Sequence, residues 1–187
     1  MSDSIRQQAK ALENRFFEQV DEKLLEQIRQ NLAHMPKREA LSTVSNVKDP
    51  HVLDKLLDLG LDASTFAVIT FVPLAVVGWA NGVIDSAEKR ALLDAAEQHG
   101  IHKDKPGYAL LEKWLDHPPS AEIVQGWKEY IRALKAEMDP AWLAALKTVT
   151  LEQAERIAMA SGGILGMGNK ISASERAKLD ELARAFN

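Results

Sequence analysis

Three observations predict an all-α fold. Apolar residues recur at helical spacing along most of the 187-residue chain. Helix starts and stops punctuate these stretches: Asp49-Pro50, Gly60, Asp85, Gly100, Ser120, Asp139-Pro140 and Ser172. No run alternates apolar and polar residues between turn signals as a half-buried strand would. A local motif also occurs twice. Ala80-Asn81-Gly82-Val83-Ile84-Asp85-Ser86-Ala87-Glu88 and Gly168-Asn169-Lys170-Ile171-Ser172-Ala173-Ser174-Glu175 each follow an apolar stretch and open an amphipathic one. The repeat predicts two related helix–turn–helix units packed together.

The first element reads as one long helix, with Ile5, Leu12, Phe16, Val20, Leu24, Ile28 and Leu32 on one side and charged residues between them. It stops before Pro36, because a residue preceding proline is pushed out of the helical region. A short helical pair follows. Pro36 opens the first helix, and Asp49 caps the second with Pro50 at its first position. Gly60 closes that helix in a left-handed cap. An uncharged helix is expected over about residues 65–80, closed by Asn81-Gly82. Asp85 then caps a helix reaching His99, and Tyr108 to Trp114 forms a short one. Ser120 caps a helix through Met138, and Asp139-Pro140 opens the next. Thr150-Leu151-Glu152-Gln153 has capping-box form and is expected to start a separate helix through Gly166. Ser172 caps the last, which ends near Phe186. The expected organisation is an N-terminal helix and helical pair over 1–60 and a helical domain with two duplicated units over 61–187.

Composition narrows the function classes. Cysteine is absent, which removes disulfides, thiolate nucleophiles and Cys-based zinc sites and points to a reducing, cytoplasmic setting. A formal charge of −4 argues against non-specific nucleic-acid binding. In the helical pair, the helix after Pro50 carries Asp54 and Asp58 against Lys55, the wrong balance for a DNA reader. The run from Ala63 to Ile84 has no charged residue and is long enough to span a bilayer. Pro73, its polar residues and the lack of flanking basic clusters favour a buried helix over a membrane one.

No residue set makes a reaction stand out, and no catalytic residue is assigned. Glu88 and Glu175 are the tempting carboxylates, yet each falls at the third position of a capping box, a role that explains it without a ligand. Gly82-Val83-Ile84 with Glu88 matches the second half of a calcium loop, but Val77 and Trp79 stand where oxygen ligands belong. Gly163 to Lys170 approximates a phosphate loop with Asn169 in place of its lysine. Ala154, Ala158, Gly162 and Gly166 give a better account of that region, as a small-residue stripe that lets another backbone approach. His99, His102 and His117 fit helix ends better than a metal site. The four tryptophans read as core or interface anchors.

Ala80-Asn81-Gly82-Val83-Ile84 with Glu88 resembles the signature of the TerB-like family, bacterial all-α domains named for a tellurite-resistance protein; the resemblance covers about residues 61–187. It implies an internally duplicated helical domain acting in stress response, with acidic loop positions facing a metal or a partner. Carried over, those positions are Asn81 and Glu88, with Gly168 and Glu175 by the repeat; Asn81 replaces the family's Asp. The expectation is therefore a non-enzymatic interaction or stress-response module. Its candidate binding residues are Asn81, Asp85, Glu88, Asn169 and Glu175. Phe16, Phe17, Leu24, Leu25 and Ile28 are the candidates for docking a protein partner or a second copy. A metal-binding protein or metal-dependent hydrolase using Glu88 and Glu175 is the alternative, with a divalent metal as its cofactor, and membrane association through 63–84 is a third reading.

Overall fold

The computed structural model describes residues 36–160 and 171–187. The long N-terminal element, the phosphate-loop approximation, Asn169, Gly162 and Gly166 lie outside them. Within the described residues the protein is helical throughout, with no strand.

Among the described residues, eight α-helices and one 3-10 helix follow in order. Helices α1 (Lys37–Ser45) and α2 (Pro50–Asp58) form the short pair. A 3-10 helix (Phe66–Phe71) runs into α3 (Val72–Gly78). Then come α4 (Ser86–Gln98), α5 (Pro106–Asp116), α6 (Ala121–Glu137), α7 (Pro140–Ala160) and α8 (Ala173–Ala185). The starts of α2, α4, α6 and α8 carry the expected acceptors. Asp49 accepts from His51 N–H, Asp85 from Ala87 and Glu88, Ser120 from Ile123, and Ser172 from Glu175.

Two expectations are corrected. The uncharged run is not one helix. Pro73 has no N–H to give to the carbonyl four residues back, so the α-helical ladder cannot run through it, and the chain takes 3-10 form up to Phe71. The α-helix that follows stops at Gly78, before Asn81-Gly82. Among the described residues no helix is long and apolar enough to cross a membrane. The run is instead the centre of the core: Val68, Ile69, Phe71, Val72, Leu74, Ala75 and Val77 are buried. The second correction concerns Thr150. Its capping-box pattern lies inside α7, which is continuous from Pro140 to Ala160. Nothing between Ala141 and Ala160 breaks a helix, so Glu152 has no free helix start to cap.

Helix α3 lies along α7, α4 packs on α7, and α8 packs on both α7 and α3. Helix α2 packs on α6, and the 3-10 helix on α5. Leu41, Leu53 and Leu56 of the short pair belong to the same buried cluster as Trp127, Ile157 and Leu182. In the described part of the small-residue stripe, Ala154 and Ala158 are fully buried. Gly78 of α3 meets the same helix: a Cβ there would sit 3.0 Å from Ile84 Cδ1 and 3.5 Å from Ile157 Cγ2. Gly78→Leu is therefore expected to cost about 1–3 kcal/mol through overpacking. Gly78→Ala should cost less, since only the end of the Ile84 side chain must yield. Denaturant melts of the two variants check this; equal midpoints would mean the contact is slack.

Candidate functional site

The two repeated motifs approach each other at their glutamates. Each builds a full capping box, and each box buries its glutamate. In the first, Asp85 Oδ1 accepts the Glu88 N–H at 2.9 Å, while Glu88 Oε2 accepts the Asp85 N–H at 2.9 Å. In the second, Ser172 Oγ accepts the Glu175 N–H at 3.2 Å, and Glu175 Oε2 accepts the Ser172 N–H at 2.6 Å. The sequence leads into both the same way: an isoleucine, Ile84 or Ile171, packs on the core just before the cap. In the first loop Gly82 makes the turn at φ +88°, and Asn81 Oδ1 accepts the Val83 N–H at 3.1 Å.

A capping glutamate normally sits at the surface. Here Glu88 is 1% exposed and Glu175 2%, and the Glu175 carboxyl lies near enough to act on that of Glu88. Glu88 Oε1 has no donor among the described groups. Burial pushes the Glu88 carboxyl up to about 7, opposed by the Asp85 N–H and reinforced by the negative charges of Asp85 and Glu175.

The other candidates are placed as follows. Asn81 and Asp85 are exposed, and their described bonds are the local ones above. His99 contacts Gln153 Nε2 at 2.8 Å and packs edge-on to Phe71 at 5.9 Å, ring centre to ring centre. No group of three or more metal-ligating side chains occurs among the described residues. Trp114 and Trp127 are core residues, half-buried Trp79 donates Nε1–H to the Trp114 carbonyl at 2.8 Å, and Trp142 is exposed.

Two surface features were not read from the sequence. Lys128, Arg132, Lys135 and Arg184, with Glu181, line an open cleft of about 470 Å³ between α6 and α8. Lys128 and Lys178 reach Glu181 at 2.7 and 2.8 Å and hold its carboxyl down at about 2. The spacing of Lys128, Arg132 and Lys135 on one helix face was the available signal. The second feature is the first half of α7, where Trp142 and Val149 are 41% and 49% exposed.

The fold and the paired capping boxes define an all-α protein with a buried carboxyl pair. In comparisons with protein families, curated proteins and solved structures, nothing matches this chain.

The caps themselves are testable. Asp85→Ala and Ser172→Ala should each destabilise by about 1 kcal/mol, because each removes the acceptor of a helix-start N–H. Urea midpoints measure the effect, and an unmoved midpoint in either variant would rule out its cap as a stabilising contact.

Proposed function

We propose that this chain is a non-enzymatic, TerB-like helical interaction module serving a stress response, and that it works by self-association. The observation that carries the reading is a face of α7 that no described element covers. Trp142, Ala145 and Val149 lie three and four residues apart, so they share one face with half-buried Leu146, and Lys147 is the only charge from Pro140 to Leu151. An exposed tryptophan in an apolar stripe is the kind of anchor that protein interfaces use. The occupant proposed is the N-terminal segment of a second copy. Its sequence supplies Phe16, Phe17, Leu24, Leu25 and Ile28, apolar residues at the spacing a helix-in-groove contact requires. Light scattering on the full chain is expected to show a dimer at micromolar concentration. Trp142→Asp with Val149→Asp should make it monomeric with unchanged helical circular dichroism. A full chain that is already monomeric, or a double variant that still dimerises, overturns the reading.

A second reading, a divalent-cation site at Glu88 and Glu175, is favoured by the donorless Glu88 Oε1. Calcium prefers about six or more oxygens, which two carboxyls already engaged by backbone N–H groups do not supply. Calorimetry with Ca²⁺, Mg²⁺ and Zn²⁺ is expected to show nothing tighter than millimolar. Micromolar binding that disappears in Glu88→Gln would favour the cation reading instead.

A further inference from the structure

We infer that the two capping boxes form a proton-operated latch: one proton, shared between Glu88 and Glu175, joins the first turns of α4 and α8, and its loss loosens that joint. Three features of the geometry carry this. First, α4 and α8 pack chiefly on α7 and α3, and Glu88 and Glu175 bring their first turns near each other. Second, the outer oxygens are already committed. Glu88 Oε2 and Glu175 Oε2 hold the N–H groups of Asp85 and Ser172, so neither carboxyl can turn away without undoing its own helix start. Third, Glu88 Oε1 is buried and lacks a donor, so a proton between the carboxyls is what satisfies it.

Among the described residues no ion pair supplies a cation to either carboxyl. Helix α3, Val72–Gly78, has no ionisable residue. From α7, Glu155 is engaged by Arg176 at 3.4 Å, and on α4 itself Lys89 reaches Asp116 at 3.5 Å. The charges that act on Glu88 are those of Asp85 and Glu175, both negative. Deprotonation thus leaves two buried carboxylates facing each other. The direct relief is to open one box, freeing the first-turn amides of α4 or α8.

Amide hydrogen exchange on the full chain tests the latch, with rates corrected for the intrinsic effect of pH. Between pH 6 and pH 8.5 the amides of Asp85, Glu88, Ser172 and Glu175 should lose at least about tenfold in protection, the change that 1.4 kcal/mol produces. Amides in the middle of α6 should lose less. Glu88→Gln is the decisive variant. Its amide oxygen can still accept the Asp85 N–H, and its NH₂ supplies a permanent donor toward Glu175. Protection there should become independent of pH. Glu175→Gln gives the same readout from the other side if Glu88→Gln folds poorly. An equal loss of protection in the glutamine variants overturns the inference. So does a Glu88 carboxyl carbon resonance that titrates near the ordinary glutamate value of about 4.3.

Discussion

Trp127→Ala is expected to destabilise the protein by about 3–5 kcal/mol, the range for deleting a large buried aromatic side chain. Trp127 lies in the middle of α6 and is 2% exposed. Its ring meets Phe186 edge-to-face at 5.8 Å, so it seats the end of α8 on the core. The neighbouring Lys128–Glu181 ion pair at 2.7 Å joins the same two helices, but half-exposed pairs contribute at most about 1 kcal/mol and cannot make up the loss. A domain of this size is stable by about 5–15 kcal/mol, so the variant should be partly unfolded at modest urea concentrations. Trp127→Phe keeps an aromatic partner for Phe186 and should fall between the two. Equilibrium urea unfolding followed by circular dichroism measures all three proteins. A loss under about 1 kcal/mol for Trp127→Ala would mean that the site collapses and repacks.

Much of this architecture is written locally. Asp49-Pro50, Asp85, Ser120, Asp139-Pro140 and Ser172 start helices because a short side-chain acceptor or a proline suffices to do so, whatever packs above. The capping boxes of Glu88 and Glu175 were legible for the same reason. Their burial and approach were not. Both follow from how α4 and α8 pack on α7 and α3, a tertiary arrangement that no local spacing encodes. The failure at Thr150 has the opposite cause. A capping pattern marks a helix start only where the chain is free to be extended at the cap, and the turn before Thr150 is already helical. The uncharged run around Pro73 was legible as core but not as two helical forms, because hydropathy is blind to a missing N–H. The exposed face of α7 was hidden for a different reason. An apolar helix reads as buried, and only the fold shows that nothing among the described elements covers Trp142 and Val149.

Stability should fall as the pH rises from 5 to 8.5, opposite to the usual behaviour of carboxylates held by cations. The sign follows from Glu88. In the unfolded chain its carboxyl loses a proton near its ordinary value of 4.5, whereas in the folded protein it keeps the proton until about 7. Between those values the folded state binds more protons than the unfolded state, so unfolding becomes easier with each step in pH. Below about 4.5 both states are protonated and the stabilising effect is fully present. Above about 7 it is lost. At about 1.4 kcal/mol per pH unit, the interval sets a total loss on the order of 3 kcal/mol. Glu181 works in the other direction but elsewhere on the scale. Its carboxyl is held at about 2 by Lys128 and Lys178, so its contribution is present above the ordinary glutamate value and disappears only as the pH falls toward 2. The two effects together place the stability optimum near pH 5. Urea midpoints at pH 5, 7 and 8.5 test this for the native chain and for Glu88→Gln, which has no proton to lose. The native midpoint should drop across the series while that of the variant moves little. A native midpoint that is flat or rises toward pH 8.5 would show that the carboxyl pair is open to water, and the buried shared proton would have to be abandoned.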